Sequence, residues 1–207
     1  MRVLDLVATG LAPELCAACG RLCRPQAIVC DHCARRLAAS APLAGAGPSG
    51  LDRAWAACPH EGVARSLVSA LKFRRLLPVA GLMADRIHRL GPPGLLSGAV
   101  VPVPTASRRS AGRGFDPATE IAAALALRAG LPLTSCLARR GAGRQVGRRR
   151  AQRLADPPSI RATGAAPASA LLIDDVLTTG ATLTACARAL REAGSVRVVA
   201  ITFSRRL

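Results

Sequence analysis

Two adjacent acids, Asp174 and Asp175, stand between an apolar run, Leu171-Leu172-Ile173, and a hydroxyl-rich turn, Thr178-Thr179-Gly180-Ala181-Thr182. Neighbouring carboxylates can accept hydrogen bonds from sugar hydroxyls or hold a Mg2+ ion. Unpaired backbone N–H groups at the start of a helix, with threonine hydroxyls beside them, favour an anion such as phosphate. One stretch therefore offers both halves of a site for a phosphorylated sugar. The plainer use of such acids is to cap the helix that follows them.

For these groups to converge, residues 171–182 must form a strand, a tight loop and the first turn of a helix. A short apolar run bounded by acids and a glycine suits a strand buried on both faces, as parallel strands are. The acids then fall at its carboxyl end, where open parallel sheets bind ligands. Val176 and Leu177 lead into the loop, and Gly180 lets the backbone approach a ligand closely. A helix-forming pattern over 182–191 follows.

A second cluster lies near the other end of the chain. Cys16-Ala17-Ala18-Cys19 and Cys30-Asp31-His32-Cys33 are two Cys-x-x-Cys knuckles with a short spacer. Two such pairs supply the four thiolates of a structural Zn2+ site, which contributes folding energy to a segment too small to build a core. Redox cysteines are the alternative. Cys23 and His32 lie inside the same segment and could replace a ligand. Cys58, Cys136 and Cys186 stand alone, as buried small hydrophobes do.

Between these clusters the chain alternates apolar runs with helical patterns. Residues 35–51 shift to Ala, Gly, Pro and Ser, as a helix end and a flexible connection would. The expected division is a zinc-binding module at 1–45 and a larger domain at 52–207. Strands are expected at 55–59, 99–103, 133–137 and 196–202, and helices at 61–73, 78–90 and 117–129. Lys72 closes the first of those helices, where a cation suits the negative end of the dipole. Asp116-Pro117 reads as an N-cap followed by proline in the first turn. Arg108, Arg109 and Arg113 follow the prolines of the 99–103 strand among glycines, in a loop suited to closing over a polyphosphate or simply to lying in solvent. Residues 139–153 are the most basic segment: a solvated face, a substrate lid or a nucleic-acid patch. His60 and His88 are isolated and carry no functional expectation. Alternating strands and helices predict an α/β fold, a mostly parallel sheet flanked by helices, with the small N-terminal module appended.

Composition sets the outer bounds. The 207 residues carry a formal net charge of +17, almost all of it arginine because Lys72 is the only lysine. Such a charge favours polyanions. With aromatic residues at 2% and no tyrosine, the chain lacks the stacking platforms of sequence-reading single-strand binders. No apolar run approaches the roughly 20 residues that span a bilayer. Residues 1–15 are mildly apolar but interrupted by Asp5 and Glu14, and read as a helix of the mature protein rather than a signal peptide. The eight cysteines then point to a reducing, cytoplasmic location.

The run 170–182 resembles the 5-phosphoribosyl-1-pyrophosphate (PRPP) binding motif of type I phosphoribosyltransferases. That resemblance implies that Asp174 and Asp175 hold the ribose hydroxyls and that the loop from Val176 and Leu177 through Thr182 holds the 5-phosphate. It further implies that Mg2+ with Lys72, Arg108, Arg109 and Arg113 neutralises the pyrophosphate as it leaves. Taken with the double knuckle, Leu71-Lys72-Phe73, Val101-Pro102-Val103-Pro104 and Arg113-Gly114-Phe115, the chain resembles the ComF family. What the family implies is a zinc module fused to a type I phosphoribosyltransferase domain that acts in the cytosol on or near incoming single-stranded DNA, among the proteins of natural competence. Asp116 and Asp156 stand where that family commonly carries asparagine. A PRPP- or nucleotide-binding regulator without catalysis and a single-stranded DNA-binding protein are the alternative expectations.

Overall fold

A computed structural model describes residues 15–45, 47–105, 114–139 and 159–206. The helix expected in 1–14, the arginines at 108, 109 and 113, Asp156 and most of the basic segment 139–153 lie outside them. The described chain runs α1 (Asp31–Ala38), β1 (Leu43–Gly45), β2 (Arg53–Pro59), α2 (Gly62–Arg74), α3 (Pro78–Leu90), β3 (Ala99–Pro102), α4 (Pro117–Ala129), β4 (Leu137–Arg139), β5 (Ile160–Ala162), β6 (Ser169–Leu177), α5 (Ala181–Glu192) and β7 (Arg197–Arg205).

Five strands form one sheet in the order β1-β2-β7-β6-β3. β2, β7, β6 and β3 are parallel, and only β1 runs the other way. The strand expected at 55–59 and the helix at 78–90 are present, as is the Asp116 N-cap, whose carboxylate accepts from Ala118 N. That carboxylate also accepts from Thr105 N at 3.1 Å and from the Thr105 hydroxyl, tying α4 to the segment after β3. Asp116 thus holds the start of α4 to the segment after β3. β3 lies at the sheet edge, which is where a strand ending in Pro102 can be accommodated.

Alternation along β6 divides the core. Leu171 and Ile173 join Leu67, Met83, Ile121 and Phe203 beneath α2, α3 and α4. Ala170 and Leu172 join Leu183, Cys186 and Leu190 of α5 on the other face. A strand apolar on both faces is what a sheet covered on both sides requires.

Two expectations change. The stretch 133–137 is not one strand: Leu133 makes a single bridge to Val100, and the chain then leaves to pair β4 with β5 in a separate antiparallel ribbon. Pro132 precedes the bridge and has no N–H to extend a ladder. The connection expected in 35–51 carries β1, which pairs with Ala54, Trp55 and Ala56. The cysteine-bearing segment also enters the main core through Ala17 and Leu37. Arg86, buried in α3, donates to the carbonyls of Ala57 and Ser40, and Arg74 at the end of α2 donates to Ala17 O.

Candidate functional site

The strand, loop and helix expected around the acids are there, with β6 continuing through Val176 and Leu177 before the turn. Gly180 adopts φ +78° and starts α5. An added Cβ there would sit 2.3 Å from Pro48 Cγ, so both the backbone angle and the space call for glycine. Pro48 belongs to a segment that runs along α5, where Asp52 Oδ1 accepts from Arg191 at 2.7 Å.

Among the described residues, the amide N–H groups of Thr178, Thr179 and Gly180 make no backbone hydrogen bond. They sit at the start of a 12-residue helix, where the macrodipole adds to their pull on an anion. Thr178 and Thr179 are exposed and Thr182 is half-buried. With Asp174, Ala181 and Leu183 they line a concavity of about 40 Å3. It opens from the surface as a shallow seat, matched to a small group held from below.

Strand alternation turns the two acids to opposite faces. Asp174, half-buried, lines the loop seat and lies on the α5 side, where its charge adds to the burial that raises the Cys186 thiol. Burial pushes the Asp174 carboxyl well above the usual carboxylate range, and the negative charge of Asp175 pushes it the same way. Its Oδ1 accepts from Asp175 N at 2.8 Å. Asp175 is buried on the α2 side, and Lys72 Nζ lies 2.5 Å from its Oδ2. Among the described residues no other group bonds that oxygen, so the Lys72 ammonium is its partner. The structure therefore brings Lys72 to Asp175, and Asp174 to the threonine loop.

Two residues that carried no expectation join the Asp175 side. His60 follows β2, and its Nδ1 lies 2.9 Å from the hydroxyl of Ser204 in β7. Ser204 Oγ lies 3.3 Å from Asp175 O as donor. His60 N also donates to Arg205 O at 2.7 Å. Burial lowers the His60 pKa; Asp175 opposes that shift, while Lys72, Arg65 and Arg206 reinforce it. No local motif marks His60. Its partner is 144 positions away, and only the parallel register of β2 with β7 (Cys58 opposite Ser204) brings them together.

The four knuckle sulfurs of Cys16, Cys19, Cys30 and Cys33 all lie within 4.8 Å of one another. Sulfurs bound at about 2.3 Å to one tetrahedral Zn2+ sit about 3.8 Å apart, and those of Cys19 and Cys30 are 3.7 Å apart. The donor set and its spacing fit zinc, which would supply folding energy here. Burial by itself would raise the Cys16 thiol, but the amides of Cys30, Cys19 and Ala18 and the Cys19 thiol bring it down to about 6, while burial and the neighbouring thiols push Cys33 up. Cys23 and His32 are outside this group of four. Beside it, Cys19, Gly62, Arg65, Ser66, Ser69 and Arg74 border an open concavity of about 630 Å3.

No helix among the described residues is long and apolar enough to cross a membrane. No protein-family model matches the chain, and no curated protein matches it. Among solved structures, the chain is similar to the glutamine phosphoribosylpyrophosphate (PRPP) amidotransferase from B. subtilis complexed with ADP and GMP, at 20% identity and a TM-score of 0.39, covering 64% of this chain and 26% of that one. It is also similar to the orotate phosphoribosyltransferase from Aeropyrum pernix, at 19% identity and a TM-score of 0.39, covering 81% and 76%. The chain thus spans about a quarter of the length of the amidotransferase.

Proposed function

We propose that the protein binds PRPP and transfers its phosphoribosyl group to an acceptor, as a ComF-like phosphoribosyltransferase. The observation that carries this is the β6–α5 junction: amides without a backbone partner among the described residues, three threonines and Asp174 around one seat at the carboxyl end of a parallel strand. The loop Thr178–Thr182 takes the 5-phosphate, and Asp174 and Asp175 approach the ribose from the two sides of the strand. Departure of pyrophosphate leaves positive charge on the sugar, so the chain has chiefly to position the ribose and the leaving group, and no covalent nucleophile is needed.

Asp175 is already neutralised by Lys72 and Asp174 favours its proton, so the pair is not a preformed cation cage. Mg2+ would then be held by the pyrophosphate of PRPP rather than by these acids, and Arg108, Arg109 and Arg113 would serve the same leaving group. The test is calorimetry of Mg2+-PRPP with the wild type and with the D174N/D175N double variant. Micromolar binding lost in the variant supports the assignment; equal affinity in both overturns it.

A second reading has its own support. The open concavity beside the cysteine knuckle presents Arg65 and Arg74 to solvent, a surface suited to a phosphate backbone such as that of single-stranded DNA taken up in competence. Binding there would weaken steeply with salt and show little sequence preference. Salt-independent affinity for an oligodeoxythymidine would exclude it.

A further inference from the structure

Hydrogen-bond bookkeeping around Ser204 ties the direction of its hydroxyl to the tautomer of His60. A serine hydroxyl carries one proton and two lone pairs. With that proton directed to Asp175 O, 3.3 Å away, the oxygen accepts from His60 Nδ1–H and Nε2 keeps its lone pair; a proton directed instead to Nδ1, 2.9 Å away, would reverse the tautomer. Among the described residues nothing bonds Nε2. The ring stands at the carboxyl end of β2, two strands from Asp175, about 10 Å across the rim. It therefore shares the ligand-facing edge of the sheet with the proposed sugar site.

We propose that His60 is the catalytic base of the transfer, taking a proton from the acceptor, and that the acceptor is accordingly a group with a weakly acidic N–H, such as a lactam nucleobase, and not a pyridine nitrogen. The proposal rests on PRPP being the donor. In the step, the acceptor nitrogen forms a bond to C1 of the ribose and the bond from C1 to the pyrophosphate oxygen breaks, its electron pair leaving with pyrophosphate. The acceptor's proton passes to Nε2 and then to water. Ser204 is a positioning residue: it holds the tautomer and orientation that leave Nε2 free.

The groups facing the ring are Asp175 on β6, Lys72 and Arg65 on α2, and Arg206 after β7. Burial first, and then the nearby cations, lower the His60 pKa, while Asp175 opposes them; a lowered pKa favours the neutral imidazole that a base must be.

The test combines one measurement that needs no ligand with three that do. Long-range 1H–15N spectra of the wild type should show the Nδ1–H tautomer for His60, identified among three histidines by its loss in H60Q; an Nε2–H tautomer overturns the proposal. Mg2+-PRPP is then titrated into the wild type, and pyrophosphate release is followed with hypoxanthine, uracil and orotate against nicotinate and quinolinate. Expected are release with an N–H acceptor, a fall in kcat of about 100-fold or more in H60Q with KM for PRPP changed far less, and loss of the acid limb of the wild-type kcat profile. S204A should lower kcat less and shift that limb. Release only with the pyridine acids, an unaltered kcat or pH profile in H60Q, or PRPP binding without release from any acceptor overturns the role of His60 and leaves the PRPP site standing. Absence of PRPP binding by the wild type overturns the donor assignment and the base with it.

Discussion

Gly180 and Pro48 touch without room for a methyl group between them: a Cβ on the glycine would lie 2.3 Å from Pro48 Cγ and 2.8 Å from its Cβ. The contact locks the threonine loop against a segment more than a hundred residues earlier in the chain. Gly180→Ala should cost about 1–2 kcal/mol for the left-handed backbone alone, and more for the displaced proline. Thermal melts followed by the fluorescence of Trp55, the only tryptophan, should fall by several degrees, since about 1 kcal/mol moves Tm by roughly 2–4 °C at this chain length. Adding Pro48→Gly should restore the contact part and leave the backbone part. Full recovery would mean that the φ of +78° is not a constraint.

Lys72→Met should expose what the ion pair does. The carboxylate of Asp175 is buried and Lys72 half-buried, so removing the ammonium leaves a charge without a partner. The expected loss is about 1–3 kcal/mol, below the value for fully enclosed pairs because water reaches the lysine side. The double variant K72M/D175N should be closer to wild type in stability than K72M. Additive losses in the two single variants would show that the pair is not coupled.

Asp174 sets a pH dependence of definite sign. Its carboxyl titrates well above the usual range when folded, so the native state holds that proton more tightly than the unfolded chain does. The stabilisation this gives is complete below the unfolded pKa, near 4, and is lost as pH rises through the folded one. Asp174→Asn removes the penalty of ionising a buried acid. The variant should therefore match the wild type in acid and gain on it towards neutral pH, while losing affinity for PRPP. Equal Tm differences at pH 4 and pH 7 would contradict the assignment.

Chelation tests the knuckle. Purified protein should contain about one zinc ion per chain, and removing it should lower Tm through a core that Ala17 and Leu37 share with Trp55. Cys16→Ser should abolish metal retention, whereas Cys58→Ser should keep the zinc because Cys58 belongs to β2, beside β7 in the sheet, and donates to Phe203 O. Metal retained in Cys16→Ser would mean that Cys23 or His32 can complete the site.

The sequence made the strand-loop-helix around Asp174 legible because each part has its own signature: an apolar run, acids, a glycine and a helical pattern. The period-2 alternation that separates Asp174 from Asp175 was available in the same letters, yet two adjacent acids invite a reading as one site. The helix Pro78–Leu90 carries its own start signal and punctuation. Leu133 and its neighbours were less readable, since a single bridge to Val100 and a later ribbon with Ile160–Ala162 depend on pairing that no local pattern encodes. His60 was unreadable for the same reason. Its chemistry comes from Ser204 and Asp175, which reach it only through the register of three strands.

β1 has only three residues, but it occupies the outer ladder of β2 opposite Ala54, Trp55 and Ala56. Paired there, it covers the edge of β2, and its short length leaves little edge of its own. A chain cut after residue 45 would lose that cover and present a bare, alanine-rich edge, the kind that recruits other molecules edge to edge. Leu43→Pro with Gly45→Pro in the full chain, which keeps the cysteine module and its core contacts, should break that pairing; light scattering that grows with concentration would make these three residues a guard against self-association.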